Sequence, residues 1–393
     1  MRLAFVVPRY GQDVIGGAET LVRGYAEHAV AAGHDVVVLT TCARNHFTWA
    51  NELPAGESSI NGVRVLRHRV SRRRDDELMT SLHARIDAGF PLDADGERAW
   101  VANTGYSQEL LAAVERAASQ VDALLFAPYL FASTCFGVRV RPERSLVIPC
   151  LHDEPYARFT ILQDAMRSAA GLIFNSDAER RLATSLLGEV RGRVVGAGFD
   201  PVAQVDAGRA RRRFGLDGTL VAYAGRRERA KNFPLLLQWI TAHSRVLAPD
   251  LPVTLAAMGS SALETPSAAR EVVTDLGAVD EQTKYDVLAA SVAVAQLSLV
   301  ESFSYVLMEG WLCGTPSIVH AQCAVTREHC EASGGGLWVE SAEEFSEALR
   351  RLITDTALRT RMAAAGRGYV IAEYSWPQVM GRLTSAITEL VAA

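Results

Sequence analysis

The chain of 393 residues has little cysteine, and what it has follows no pattern. Cys42, Cys135, Cys150, Cys313, Cys323 and Cys330 form no C-x-x-C and fit neither a zinc site nor a disulfide framework. Most are expected to be buried thiols in a reducing compartment. Long apolar runs are missing too. None approaches the ~18 residues of a membrane span, and Leu3 to Val7 is cut short by Pro8 and Arg9, too early for a secretory signal. Strong charge of one sign is absent: a net charge of −5 argues against a general nucleic-acid binder. So is the dinucleotide fingerprint G-x-G-x-x-G, and the second expected strand ends in Thr40, Thr41 and Cys42, not in an acidic residue that holds a ribose. These absences disfavour a nicotinamide dehydrogenase and leave a cytoplasmic protein as the expectation.

The composition is globular, 49% hydrophobic and 22% charged, and the length suits two domains. The most informative stretch runs from Val292 to His320. Val292 to Leu297 reads as a buried strand, and Ser302 or Ser304 suits the start of a helix. Phe303, Val306, Leu307 and Trp311 fall on one helical face. Gly314 and Pro316 stop that helix, and Ser317 to His320 begins the next strand. Glu301 lies on the loop and Glu309 in the helix. A helix entered from a strand end offers free N–H groups to an anion such as a diphosphate. Glu309 is placed to accept from ribose hydroxyls and Glu301 from sugar hydroxyls. The plainer reading is a buried βαβ unit with two solvated glutamates.

The chain opens with a strand, Arg2 to Val7, then a loop and the pair Gly16-Gly17 at the start of a helix running to about Ala32. Leu21, Val22, Tyr25 and Ala29 share one face. Glycines there let a phosphate approach bare N–H groups, although an ordinary tight turn has the same look. Asp35 to Thr40 is the second strand. Ala43 to Gly62 reads as irregular, and Val63 to Arg69 as an edge strand. Arg64, Arg67, Arg69, Arg72, Arg73 and Arg74 form a basic cluster: a solvated surface, or a contact with an anionic acceptor or a membrane surface. Ser145 to Leu151 reads as a strand that delivers His152-Asp153-Glu154 at its C-terminal end, where open α/β sheets bind ligands.

Ala203 to Gly218 reads as a basic, polar linker. Leu220 to Ala224 is a strand, followed by Gly225-Arg226-Arg227 and Lys231. Arg can grip two phosphate oxygens and Lys adds a point charge. Gly277 to Asp280, with Val279, is a short turn before a helix. Two polar-looking helices close the chain around Tyr374 to Pro377. The βαβα rhythm of both halves predicts an α/β protein with two doubly wound Rossmann-like domains facing each other across a cleft.

In order and spacing, the Gly16-Gly17 helix start, the His152 strand end, Gly225-Arg226 with Lys231, and Glu301 with Glu309 before Gly314-Thr315-Pro316 resemble the family 4 retaining glycosyltransferases of the GT-B fold. The resemblance covers nearly the whole chain. It implies an acceptor-side domain over 1–202, a nucleotide-sugar-binding domain over 203–374, and a helix over 375–393 that crosses back onto the first domain. The reaction it implies is transfer of a sugar from a UDP- or GDP-linked donor to a hydroxyl acceptor on a glycan, lipid-linked glycan or natural product. No cofactor beyond the donor and no obligatory metal are implied; no Asp-x-Asp of a metal-dependent transferase stands out. Nor is nucleic acid an expected partner, and a peripheral membrane contact stays open.

By this resemblance the Gly17 N–H faces the donor diphosphate, and Arg226 and Lys231 neutralise it as it leaves. Glu301 holds sugar hydroxyls, N–H groups at Phe303, Ser304 and Tyr305 contact sugar and phosphates, Glu309 holds the ribose, Val279 meets the base, and His152 sits by the reacting face of the sugar. The sequence departs from the family at Ser304, commonly Gly, and around Gly196 to Asp200, which lacks the usual Asn. A non-catalytic nucleotide-sugar binder, or a GT-B epimerase or phosphorylase, is the alternative.

Overall fold

The computed structural model describes residues 1–14, 16–202, 204–259 and 269–391. It separates into two compact units, one of Met1–Gly198 with Trp376–Ala393 and one of Phe199–Ser375. No helix among the described residues is long and apolar enough to cross a membrane.

The first unit runs β1 (Arg2–Val6), α1 (Gly17–Ala31), β2 (Asp35–Thr41), β3 (Gly56–Ile60), β4 (Val63–His68), α2 (Asp76–Asp87), α3 (Ala94–Ala102), α4 (Gln108–Ala118), β5 (Ala123–Phe126), α5 (Ala132–Gly137), β6 (Ser145–Val147), α6 (Thr160–Ser168), β7 (Gly171–Phe174), α7 (Asp177–Leu187) and β8 (Gly192–Val194). The strands form one sheet, β3-β4-β2-β1-β5-β6-β7-β8, parallel except for the β3–β4 pair. β1, β5, β6 and β7 bury nearly every side chain, as strands covered on both faces must. Asp75, Asp93, Ser107 and Ser176 each accept an N–H in the first turn of α2, α3, α4 and α7, a cap worth ~1 kcal/mol apiece. Leu110, Val114, Phe126, Leu162 and Phe174 belong to the core of this unit.

Two expectations fail here. The stretch expected to be irregular contains β3, which takes the sheet edge and leaves β4 inside. β3 is exposed at Gly56, Glu57, Ser58 and Ser59, so it carries no hydrophobic alternation to betray it. The strand expected to reach Leu151 stops at Val147. Cys150 turns left-handed, φ 50°, which ends the extended run and puts His152 on a loop beyond the strand.

The second unit runs α8 (Ala207–Phe214), β9 (Thr219–Ala224), α9 (Phe233–Ala242), β10 (Val253–Met258), β11 (Val273–Gly277), α10 (Glu281–Ala289), β12 (Ala293–Gln296), α11 (Tyr305–Leu312), β13 (Ser317–His320), α12 (Ala324–Ser333), β14 (Gly336–Val339), α13 (Ala342–Thr354) and α14 (Thr356–Tyr374). Its six strands lie parallel in the order β11-β10-β9-β12-β13-β14. The expected linker is helix α8. Only Ala210 of it is buried, so no apolar stripe marks it. Capping by Asp206 and the pairing of Arg209 with the buried Asp286 hold it to α10.

The closing helices number three, not two, because Asp355 both ends α13 and caps α14. The third, α15 (Trp376–Val391), buries Val379, Leu383, Ala386, Ile387 and Leu390, a stripe of helical period, and packs in the first unit against α1 and β6 to β8. Trp376 stacks on His28 at 3.8 Å between ring centroids. Gly198 must stay bare there, since a Cβ would lie 2.3 Å from the indole.

Candidate active site

In an open parallel sheet, ligands collect at strand C-termini where the strand order reverses. In the second unit that point lies between β9 and β12, which pair directly. The loops after them, 225–232 and 297–304, therefore leave the sheet side by side. Asn232, left-handed at φ 54°, ties them together by donating Nδ2–H to the Leu297 carbonyl at 3.0 Å. Across the same junction Lys231 Nζ donates to Glu301 Oε1 at 2.8 Å, with side chains 18% and 9% exposed. The two charges stand 70 residues apart in sequence, and the sheet order alone brings them together.

Glu309 is not solvated either. Lys284, one turn into α10, donates Nζ–H to its Oε1 at 2.6 Å, with side chains 24% and 12% exposed. Glu301 and Glu309 thus form two lysine–carboxylate pairs flanking the start of α11, and the reading of two solvated glutamates does not stand.

Arg226 behaves differently. Its side chain is 56% exposed and pairs with Glu228 at 2.8 Å. Its neighbour Arg227 is buried, donating to the Gly259 carbonyl at 2.8 Å and pairing with Asp275 at 2.6 Å, so it braces the ends of β10 and β11. Val279 lies half-buried, packed on a core cluster, between the end of β11 and Asp280, which caps α10.

Ser304 occupies the cap position of α11, but its side chain makes no capping bond. The residue is left-handed, φ 79°, and its Oγ is buried without a partner. Phe303 is not in the helix. It is buried in an aromatic cluster with Phe199, Tyr305, His329 and Tyr374. Burial also pushes His329 down to about 4.

In the first unit Gly16 caps α1 without a side chain. A Cβ there would come 2.1 Å from the Glu19 carboxylate and would displace it, whereas a Cβ at Gly17 would meet nothing within 4 Å. The buried Arg9–Glu19 ion pair lies behind this turn. His152 is half-buried, and its carbonyl accepts the Glu154 N–H at 2.9 Å. Tyr129 O–H donates to Glu154 Oε1 at 2.8 Å, and Arg158 pairs with Asp153 at 2.8 Å.

The sequence missed Glu179, which is 1% exposed. Burial raises its carboxyl to about 8, against the pull of the N–H groups of Asn175, Leu151 and Ser176. The signal was there: Ser176-x-x-Glu179 is a capping-box spacing. Lys284 was legible only as a lysine one turn into the helix behind the Val279 turn.

The arginine cluster is partly dispersed. Arg64 pairs with Glu57, Arg74 with Asp76, and Arg67 is buried, donating to Ser58 and the Tyr10 carbonyl. Arg69, Arg72 and Arg73 are exposed. The Asp-x-Asp at Asp93-Ala94-Asp95 serves a helix, Asp93 accepting from the Gly96 N–H at 2.8 Å. Among the described residues no group of three or more His, Cys, Asp or Glu side chains is placed to hold a metal ion.

Comparison with known proteins agrees with this architecture. The family model for glycosyl transferases group 1 matches residues 206–369. A D-inositol 3-phosphate glycosyltransferase of Salinispora arenicola is 32% identical over 200 residues, 47% of this chain and 44% of the relative. A GDP-mannose-dependent monoacylated alpha-(1-6)-phosphatidylinositol monomannoside mannosyltransferase of Corynebacterium glutamicum is 29% identical over 206 residues, 48% of this chain and 52% of the relative. The chain spans about half the length of these curated relatives. Among solved structures, Anabaena HepE in complex with UDP and glucose superposes with a TM-score of 0.71 at 17% identity, over 99% of this chain and 100% of that one. At that identity the likeness shows the fold, which is GT-B.

Proposed function

We propose that this chain is a family 4 glycosyltransferase that moves a sugar from a nucleotide-diphosphate sugar to a hydroxyl acceptor, a reading supported by the group 1 family match over residues 206–369 and by the GT-B fold. The anomeric configuration is kept and no metal is required. The observation that carries the reading is the Lys231–Glu301 pair, set where the sheet order of the second unit reverses.

Breaking a glycosyl–phosphate bond builds positive charge on the sugar ring and negative charge on the departing diphosphate. Lys231 and the free N–H groups at the start of α11 stabilise the diphosphate as it forms, the work a metal would otherwise do. Arg226, exposed and paired only at the surface, exchanges Glu228 for a phosphate oxygen. Glu301 accepts from hydroxyls of the transferred sugar, Glu309 accepts from the ribose, and the turn at Val279 meets the base. Phe303, Ser304 and Tyr305 supply N–H groups to sugar and phosphate. In the first unit the N–H of Gly17, at the start of α1, is assigned to the diphosphate, and His152 to the reacting face of the sugar. The acceptor hydroxyl attacks from the face the diphosphate leaves.

The donor is UDP- or GDP-linked. The names of the relatives include inositol phosphate and a phosphatidylinositol mannoside, so a phosphate-bearing cyclitol is the first acceptor to test, with Arg72 and Arg73 as its exposed cations. We assign the reaction to the cytoplasm, with peripheral membrane contact through the same arginines.

The test is a transfer assay with UDP-glucose, UDP-N-acetylglucosamine and GDP-mannose against inositol phosphates, in EDTA, with NMR of the product anomeric centre. An α-linked product from an α-linked donor supports the reading. An inverted product, or turnover that EDTA abolishes, contradicts it. Donor binding with neither transfer nor hydrolysis returns the protein to a non-catalytic binder.

A further inference from the structure

Glu179 lies in the first residues of α7, yet its carboxylate reaches beyond its own helix. Oε1 accepts the Leu151 N–H at 2.6 Å, and Oε2 accepts the N–H of Asn175 at the end of β7. Both of its oxygens are thus met by backbone N–H groups from segments outside α7.

The segment it grips is strained. Cys150, next to Leu151, is left-handed at φ 50°, a conformation that costs a non-glycine residue ~1 kcal/mol or more. Such a turn persists only where its surroundings over-determine it. Two contacts do so here: Glu179 on the N–H of Leu151, and Asn175 Nδ2 on Cys150 Sγ at 3.6 Å. The next residue in the chain is His152. The turn and its tie thus fix where the chain leaves β6 and where the imidazole begins.

We propose that Glu179 is a positioning residue, which by pinning the strained turn at Cys150-Leu151 sets the placement of His152. This rests on the role assigned to His152 above. Glu179 touches neither donor nor acceptor; it acts through the backbone.

The experiment compares Glu179→Gln with the double variant Glu179→Gln, Cys150→Gly. Gln keeps the size but turns an N–H₂ group toward one of the two backbone N–H donors, so one tie is lost. Gly removes the cost of the left-handed turn. Two readouts are taken on folded protein: the imidazole Hε1 signal of His152, assigned with His152→Gln, and the kinetics of sugar transfer. For Glu179→Gln the His152 signal and its titration midpoint move while those of His243 and His329 stay. Turnover falls at least tenfold with donor KM within twofold. The double variant recovers turnover severalfold.

An unmoved His152 signal in folded Glu179→Gln overturns the proposal, as does turnover within twofold of wild type. If the single variant does not fold, the double variant is read in its place. If neither folds, Glu179 is a folding residue only and the proposal falls. The NMR readout needs no donor. Absence of transfer by the wild type therefore counts against the function proposed above, while the His152 signal still decides Glu179.

Discussion

Glu301 and Glu309 in the second unit and Glu179 in the first are all carboxylates withdrawn from water, and they are held in two ways. Glu301 and Glu309 each face a lysine. Glu179 is met by backbone N–H groups at Leu151 and Asn175. A lysine on a flexible stem can turn from a carboxylate to a phosphate, so the pairs of the second unit are exchangeable by a ligand. An N–H belongs to the chain that Glu179 braces and cannot leave it. The second unit stores charge for a substrate, and the first uses a buried carboxyl group to hold its own shape.

The strongest test of that contrast is Lys231→Ala. Sugar transfer is expected to fall by ~10²–10³, the usual cost of removing one preorganised charge stabiliser. Glu301, 9% exposed, is left unpaired, so the melting temperature also drops, by an amount worth about 1–3 kcal/mol. Steady-state kinetics and a thermal melt read both. Unaltered turnover removes Lys231 from the site.

Acid separates the units next. His329 is held down to about 4 by burial, against 6.5 when unfolded. The unfolded chain therefore binds the proton first. This contribution, ~3 kcal/mol, is complete above pH 6.5 and lost as pH falls toward 4. Glu179 tilts the other way. Its folded carboxyl lies near 8, against 4.5 unfolded, so its contribution is present below 4.5 and lost as pH rises through 8. Chemical denaturation between pH 4 and 8 should show His329→Gln flattening the acid limb and Glu179→Gln flattening the alkaline one. Unchanged limbs in both variants contradict the assignment.

Smaller effects sharpen the second unit further. Glu309→Gln keeps the shape and loses the charge, and should raise donor KM about tenfold with turnover within severalfold. If donor KM does not move, Glu309 serves Lys284 alone. Least of all, replacing Arg72 and Arg73 with Ala should raise acceptor KM a few-fold and leave donor KM alone. Equal acceptor KM makes them a solvated surface.

How legible all this was in the sequence follows the same division. The parallel strands β9, β12 and β13 and the stop at Gly314 could be read because buried strands are apolar runs and helix ends have their own residues. Glu301 and Glu309 could be singled out by spacing, but not their lysines, since Lys231 and Lys284 meet them only through the sheet order. β3 and α8 were hidden by polarity: one is an exposed edge, the other an arginine-rich helix anchored by Asp286. Ser304 read as a cap by residue type, yet its left-handed backbone leaves its hydroxyl without a bond. His152 was placed at a strand end by an apolar run that continues through Ile148 and Leu151, but the turn at Cys150, which no composition announces, carries it past the sheet.

On the proposed function, the second unit grips a nucleoside diphosphate with Lys231 and Glu309. Calorimetric titration of UDP and of GDP into wild type, Lys231→Ala and Glu309→Gln, all in EDTA, addresses it most directly. One nucleotide is expected to bind the wild type, Lys231→Ala to weaken it at least tenfold, and EDTA to have no effect. Binding of neither nucleotide by the wild type, or equal binding by all three proteins, would contradict it.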